Sequence, residues 1–165
     1  EGLLPPETRT QRLGETIDAG LILSTKGNPD RGHRIYLGET GVQCVSCHML
    51  DGAGKQIGPG LDQIGAKFTK GELLESLISP SDQVEPGFAV YGVDLLDEQS
   101  YSGMIVNQNL TALSLRLADG RVVELSRGEI TSISKSPLSL MPEGLLAGMT
   151  LQDAADLLSF LEELR

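Results

Sequence analysis

The chain has only two cysteines, Cys44 and Cys47, spaced three apart, with His48 directly after the second. In the run Cys44-Val45-Ser46-Cys47-His48, two thiols one turn apart can each add to a haem vinyl group, and the next residue sets an imidazole under the iron. Two other chemistries use such pairs. A zinc site needs four ligands, and beyond this run the chain offers only His33. A redox dithiol opens a helix that follows a strand in a βαβ unit, and no such unit precedes Cys44. The motif therefore reads as the attachment sequence of one covalent haem c, held by Cys44 and Cys47, with His48 as the proximal iron ligand.

Composition limits what else the chain can be. Its 165 residues carry 13 Lys and Arg against 23 Asp and Glu, a formal charge of −10, and 39% are hydrophobic. This is a globular chain, and no apolar run approaches the roughly 18 residues of a membrane span. An acidic chain without clustered Lys and Arg cannot neutralise phosphates, so nucleic acid is excluded as a partner. Three Phe, three Tyr and no Trp are few aromatics for this size. Either the core is aliphatic or something other than protein fills it, and a haem macrocycle would do so. The chain begins at Glu1 rather than Met, and we expect a processed or excised chain from which any signal peptide has been removed.

The positioning elements follow from periodicity. Leu13, Ile17 and Leu21 at fourfold spacing predict a leader or linker helix within 1–28. Asn28 caps a second helix with Pro29 at its first position, ending at Gly38. Residues 41–65 are loop-like and rich in glycine. Thr69 with Glu72 forms a capping box ahead of Leu73, Leu74, Leu77 and Ile78, and Pro80 stops that helix. Between Pro86 and Ser136 the period becomes two, predicting strands at 88–96, 100–106, 110–117, 121–126 and 129–134. Asp119-Gly120 reads as a two-residue hairpin turn, and five short strands in a meander predict a barrel-like sheet. Thr150 with Asp153 opens a last helix whose stripe is Ala154, Leu157, Leu158 and Leu161. The resulting organisation is 1–28 leader, 29–85 with 137–165 as the haem domain, and 86–136 as an inserted β domain.

On these residues the chain resembles a class I cytochrome c. It is most similar to the haem-binding domain family of large secreted planctomycete and verrucomicrobial proteins, through Gly32–Leu37, Cys44–His48, Gly58-Pro59-Gly60-Leu61, Leu73–Pro80, the β segment from Gly87, and Ser136–Leu145. The resemblance covers about residues 29–163. It implies a mainly α cytochrome c fold carrying a small antiparallel β insert. It also implies extracytoplasmic, typically periplasmic, maturation and electron transfer to a redox partner or tethered dehydrogenase domain by a monomeric carrier rather than an enzyme.

The same resemblance makes Met141 the axial ligand opposite His48. Position agrees: Met49 adjoins His48 and cannot reach the other face, Met104 lies in a predicted strand, and Met149 sits at the edge of the last helix. Met141 as a core plug and His33 as the sixth ligand are the alternatives. Pro59 is carried over as the carbonyl that accepts from His48, against a mere Gly-Pro-Gly turn, and Leu61 as a residue at the haem edge. Lys55 and Lys67 are candidates for the propionates. If Met141 does not bind, a five-coordinate haem enzyme or small-ligand sensor results. A third reading has Val90, Val93, Met104 and Val106 of the β segment docking a partner.

Overall fold

The computed structural model describes residues 11–165. The Leu4-Pro5-Pro6 opening of the expected leader lies outside the described residues. Within them the leader helix is much shorter than its periodicity suggests. Helix α1 spans Ala19–Ser24, with the Asp18 carboxylate accepting from Leu21 N. Upstream, Leu13 N donates to Met149 O at 2.9 Å and Gly14 N to Ala147 O at 3.0 Å. Those amides belong to a strap across the fold, and Gly14, at φ +70, is outside helical backbone. Leu13 and Ile17 still pack on the core, and Ile22 is fully buried.

Helix α2, Pro29–Leu37, has the expected ends. The Asn28 side chain accepts from Arg31 N, and Gly38 closes it in the left-handed conformation at φ +114. Helix α3 is a single turn, Ile64–Lys67. Helix α4, Lys70–Ile78, and helix α5, Leu151–Glu163, each begin with a complete capping box, Thr69 with Glu72 and Thr150 with Asp153. Helices α2 and α5 cross so closely that a Cβ on Gly32 would lie 2.1 Å from Asp156 O, and one on Gly27 2.1 Å from Ala155 O. Ion pairs flank the crossing: Arg31 meets Asp153 at 3.0 Å and Asp156 at 3.3 Å. Asp156 is fully buried; its Oδ1 accepts from Asn28 N and Gln152, whereas Oδ2 has the Arg31 charge nearby without hydrogen-bond geometry. The core around this crossing is aliphatic, built on Ile35, Leu73, Leu74, Leu146, Leu157 and Leu158 with Tyr36 and Phe160.

The mainly α expectation is overturned. Four of the five α-helices among the described residues have nine residues or fewer, and between α4 and α5 the chain builds a five-stranded antiparallel sheet. Its strands are β1 Val90–Leu95, β2 Ser100–Gln108, β3 Ala112–Arg116, β4 Val122–Ser126 and β5 Ile130–Lys135. The result is an α+β chain. The barrel is overturned too: the order β4-β3-β2-β1-β5 leaves β4 and β5 as two open edges. Only four strands follow the meander; β5 returns to pair with β1, where the register shifts between Asp94 and Leu95. The β3–β4 connection also differs, since Leu117 N bonds Arg121 O and only Gly120 has positive φ. It is a three-residue loop, Ala118–Gly120, instead of a two-residue turn, because Asp119 does not enter the left-handed region. The sheet has its own cluster of Val93, Leu113, Leu115 and Leu125.

Candidate functional site

Cys44–Ser46 forms one 3-10 turn, with Cys47 N donating to Cys44 O at 3.0 Å and His48 N to the same oxygen at 2.9 Å. This winding sets the two cysteines one turn apart on a single short element, and both thiols are free. Burial pushes the Cys44 thiol above its ordinary value, and the adjacent Cys47 adds to the rise against a lowering by backbone hydrogen bonding. A redox dithiol needs the opposite, an acidified nucleophile. Among the described residues no group of three or more His, Cys, Asp and Glu could hold a metal ion, so a zinc site has no support either.

The His48 ring is fixed from several sides. Its Nδ1 lies 2.8 Å from Pro59 O. A carbonyl can only accept, so Nδ1 is the donor, and in the neutral imidazole this tautomer leaves the Nε2 lone pair for a metal. Gly58 lies flat against the ring: a Cβ there would stand 2.5 Å from Cε1 and 2.8 Å from Nδ1. Behind this contact, Ile57 N and Gly58 N both donate to Cys47 O, at 3.0 and 2.7 Å. The His48 carbonyl accepts from the Tyr36 hydroxyl at 2.9 Å, and Gly54, at φ +103, passes so close that a Cβ would lie 2.2 Å from His48 O. Neither Tyr36 nor Gly54 stands out in the sequence as a site residue. A buried tyrosine in an aromatic-poor chain is the signal that could have found Tyr36.

Leu61 is buried in the main core, and its amide donates to Met49 O at 2.9 Å. Met141 is half-buried on the same core. Its loop is tied in by Met141 N to Ser139 Oγ and by Ser139 N to Ser81 Oγ, each 3.1 Å. Met104 and Met149 are buried to 1% exposure, so neither is free to turn toward a bound group. His33 is exposed and lies against Phe160, with ring centroids 5.1 Å apart, on the outer side of the α2–α5 crossing. Lys67 is ion-paired with Glu85, and Lys55 is exposed beside the site loop. Val90, Val93 and Met104 face inward, which removes the partner-docking reading of those side chains; of that set only Val106 is exposed.

Two cavities, of about 700 and about 640 Å³, are lined by neither Cys44, Cys47, His48 nor Met141. We give the larger cavity no part in the chemistry, because it lies where the chain enters and leaves the sheet, between Val84 and Leu138. Half-buried Val42, Val45, Phe68, Ile78 and Met141 pack against the main core, as does Cys44 of the motif itself. Free thiols one turn apart, an oriented imidazole with its metal-binding nitrogen open, and an apolar core against which Cys44 packs together fit a covalently held haem. No helix among the described residues is long and apolar enough to cross a membrane. A family model described as Cytochrome c matches residues 29–165. No curated protein matches the chain.

Proposed function

Because the chain belongs to the cytochrome c family, whose members carry haem c and transport electrons, we propose that it is a monohaem carrier passing one electron at a time from a dehydrogenase or tethered domain to a downstream acceptor. Cys44 and Cys47 would hold the haem by thioether bonds, and His48 Nε2 and Met141 would be the protein's ligands to its iron. Bound haem supplies an iron that alternates between ferric and ferrous states. The chain's residues supply the rest. The Pro59 carbonyl accepts the hydrogen bond from His48 Nδ1–H, which sets ring orientation and makes the imidazole a stronger donor. Gly58 leaves room for the ring, Leu61 lies at the haem edge, and the 139–141 loop holds Met141 against the core. With His48 and Met141 both serving as ligands, no position would remain for substrate, which favours a carrier over an enzyme.

The observation that carries this reading is the 2.8 Å contact of His48 Nδ1 with Pro59 O, next to a free Cys44–Cys47 pair. Acid–organic extraction tests it: the colour stays with the protein, and Cys44→Ser with Cys47→Ser releases it. Haem partitioning into solvent from the unaltered protein overturns the reading. The finer kinship with planctomycete and verrucomicrobial haem-binding domains rests on the β segment between Pro86 and Ser136. We place the protein outside the cytoplasm as a monomer, which cell fractionation and sedimentation check. Its −10 charge suits a partner with a basic docking patch, so reduction by such a partner slows as salt screens the attraction.

A further inference from the structure

The sheet touches the site loop at one well-defined point: Arg116 Nη1, at the end of β3, donates to Gln56 O at 2.8 Å. Gln56 immediately precedes Ile57 and Gly58, whose amides bond Cys47 O, and stands three residues before Pro59, the acceptor for His48. Arg116 is itself rigidly placed. It pairs with Met104 on one side and Val122 on the other, next to fully buried Leu115. Gly103 lets β2 come close enough that a Cβ there would lie 2.5 Å from Arg116 O. Arg116 makes no ion pair among the described residues, unlike neighbouring Arg121, which is paired with Asp119. Its one described side-chain hydrogen bond goes to the site loop.

We propose that Arg116 is a positioning residue through which the sheet holds the 56–59 loop and so tunes the hydrogen bond from His48 to Pro59. The proposal rests on the reading of His48 as the iron's proximal ligand. A firm Nδ1–H to carbonyl bond makes the imidazole more basic and favours ferric iron, so loosening it raises the midpoint potential. Simple loss of a nearby positive charge acts in the opposite sense, since a cation favours the less positive ferrous state. The sign of the shift separates positioning from electrostatics.

The test compares haem-loaded wild type with two Arg116 variants that lose the donor, Arg116→Ala and Arg116→Met, and with Arg116→Lys and Arg121→Ala as controls. The expected result is a raised midpoint potential and faster amide exchange at Ile57 and Gly58 in both Arg116 variants. Arg121→Ala, which removes a charge but no loop contact, gives an unchanged or lowered potential. Arg116→Lys, which keeps a donor, restores part of the effect. An unchanged or lowered potential in either Arg116 variant overturns the proposal. Should both variants fail to fold, exchange in the wild type decides: Ile57 and Gly58 protected together with β3 amides supports the coupling, and free exchange while β3 stays protected refutes it. A wild type that holds no haem sinks the haem reading instead, while the exchange comparison still reports on the tether.

Discussion

Pro59 and His48 are eleven residues apart in the chain, yet the Pro59 carbonyl oxygen lies 2.8 Å from His48 Nδ1 and thereby selects which ring nitrogen stays open. The intervening loop achieves this by folding back on the motif: Ile57 and Gly58 share Cys47 O, and Leu61 bonds Met49 O. Proline has no amide proton to satisfy and a fixed φ, so its carbonyl can be aimed at low conformational cost. Gly58, beside it, is what allows the ring to come so near.

Gly58→Ala is therefore expected to displace the ring. The added Cβ would meet Cε1 at 2.5 Å, and relief requires moving either His48 or the loop, at a cost of about 1–3 kcal/mol. Thermal unfolding should show the loss, and the visible spectrum a change in axial ligation. Retention of both spectrum and stability would mean that the ring is not held against this loop.

If Met141 is the iron ligand proposed above, Met141→Ala should open that position to carbon monoxide or added imidazole and lower the midpoint potential, since the ferrous state loses a soft sulfur ligand. Met149→Ala and Met104→Ala, at fully buried positions, should each cost about 2–5 kcal/mol of stability and leave the ligation spectrum alone. A Met141→Ala protein that keeps a methionine-type low-spin spectrum would remove this residue from the iron.

How far the sequence carried this picture depended on whether each signal was local. Asn28-Pro29 through Gly38, Thr69 with Glu72, and Thr150 with Asp153 each settle their helix ends within a few residues, and the observed caps agree. The Leu13-Ile17-Leu21 pattern failed because the 147–149 segment, more than a hundred residues away, takes the amides of Leu13 and Gly14. Alternation located all five strands, but alternation does not say which strand pairs with which. The return of β5 to β1, and hence the open sheet, is a long-range choice. In the site, the Cys44–His48 run was legible by spacing alone. Tyr36, Gly54 and Arg116 were not, because their partners are backbone carbonyls that any residue could have supplied.

Acid should weaken the start of α4 and the β1–β2–β5 junction. Hydrogen bonds from the Thr69 backbone and hydroxyl hold the Glu72 carboxyl below its ordinary range, and the Ser132 and Ser100 hydroxyls do the same for Asp94. A carboxyl with a depressed folded value stabilises the fold above its unfolded pKa, and that contribution is lost as pH falls through the depressed value. Melting temperature should thus decline on acidification below the ordinary carboxylate range, and Glu72→Gln with Asp94→Asn should flatten the decline. Both groups are exposed, so the change will be small; an identical acid profile in the double variant would show that neither bond matters.

Two glycines that the sequence treats alike should respond with opposite sign. At Gly32 in α2, a methyl group would be driven to 2.1 Å from Asp156 O and 2.5 Å from Phe160 Cβ, and neither obstacle is a flexible side-chain end. The α2–α5 crossing would have to open, breaking the approach that lets Arg31 reach Asp153 and Asp156 and leaving Asp156 buried without its counter-charge. Gly32→Ala is expected to cost about 3 kcal/mol or more. At Gly71 in α4, a methyl group meets nothing within 4 Å and φ is not positive, so alanine only removes freedom from the unfolded chain. Gly71→Ala should stabilise by about 0.4–1 kcal/mol. Denaturant melts of the two variants measure both effects on one scale. Equal and small effects would show that α2 and α5 do not cross at Gly32, and with that the packing that carries α2 and Tyr36 to the His48 carbonyl would have to be redrawn.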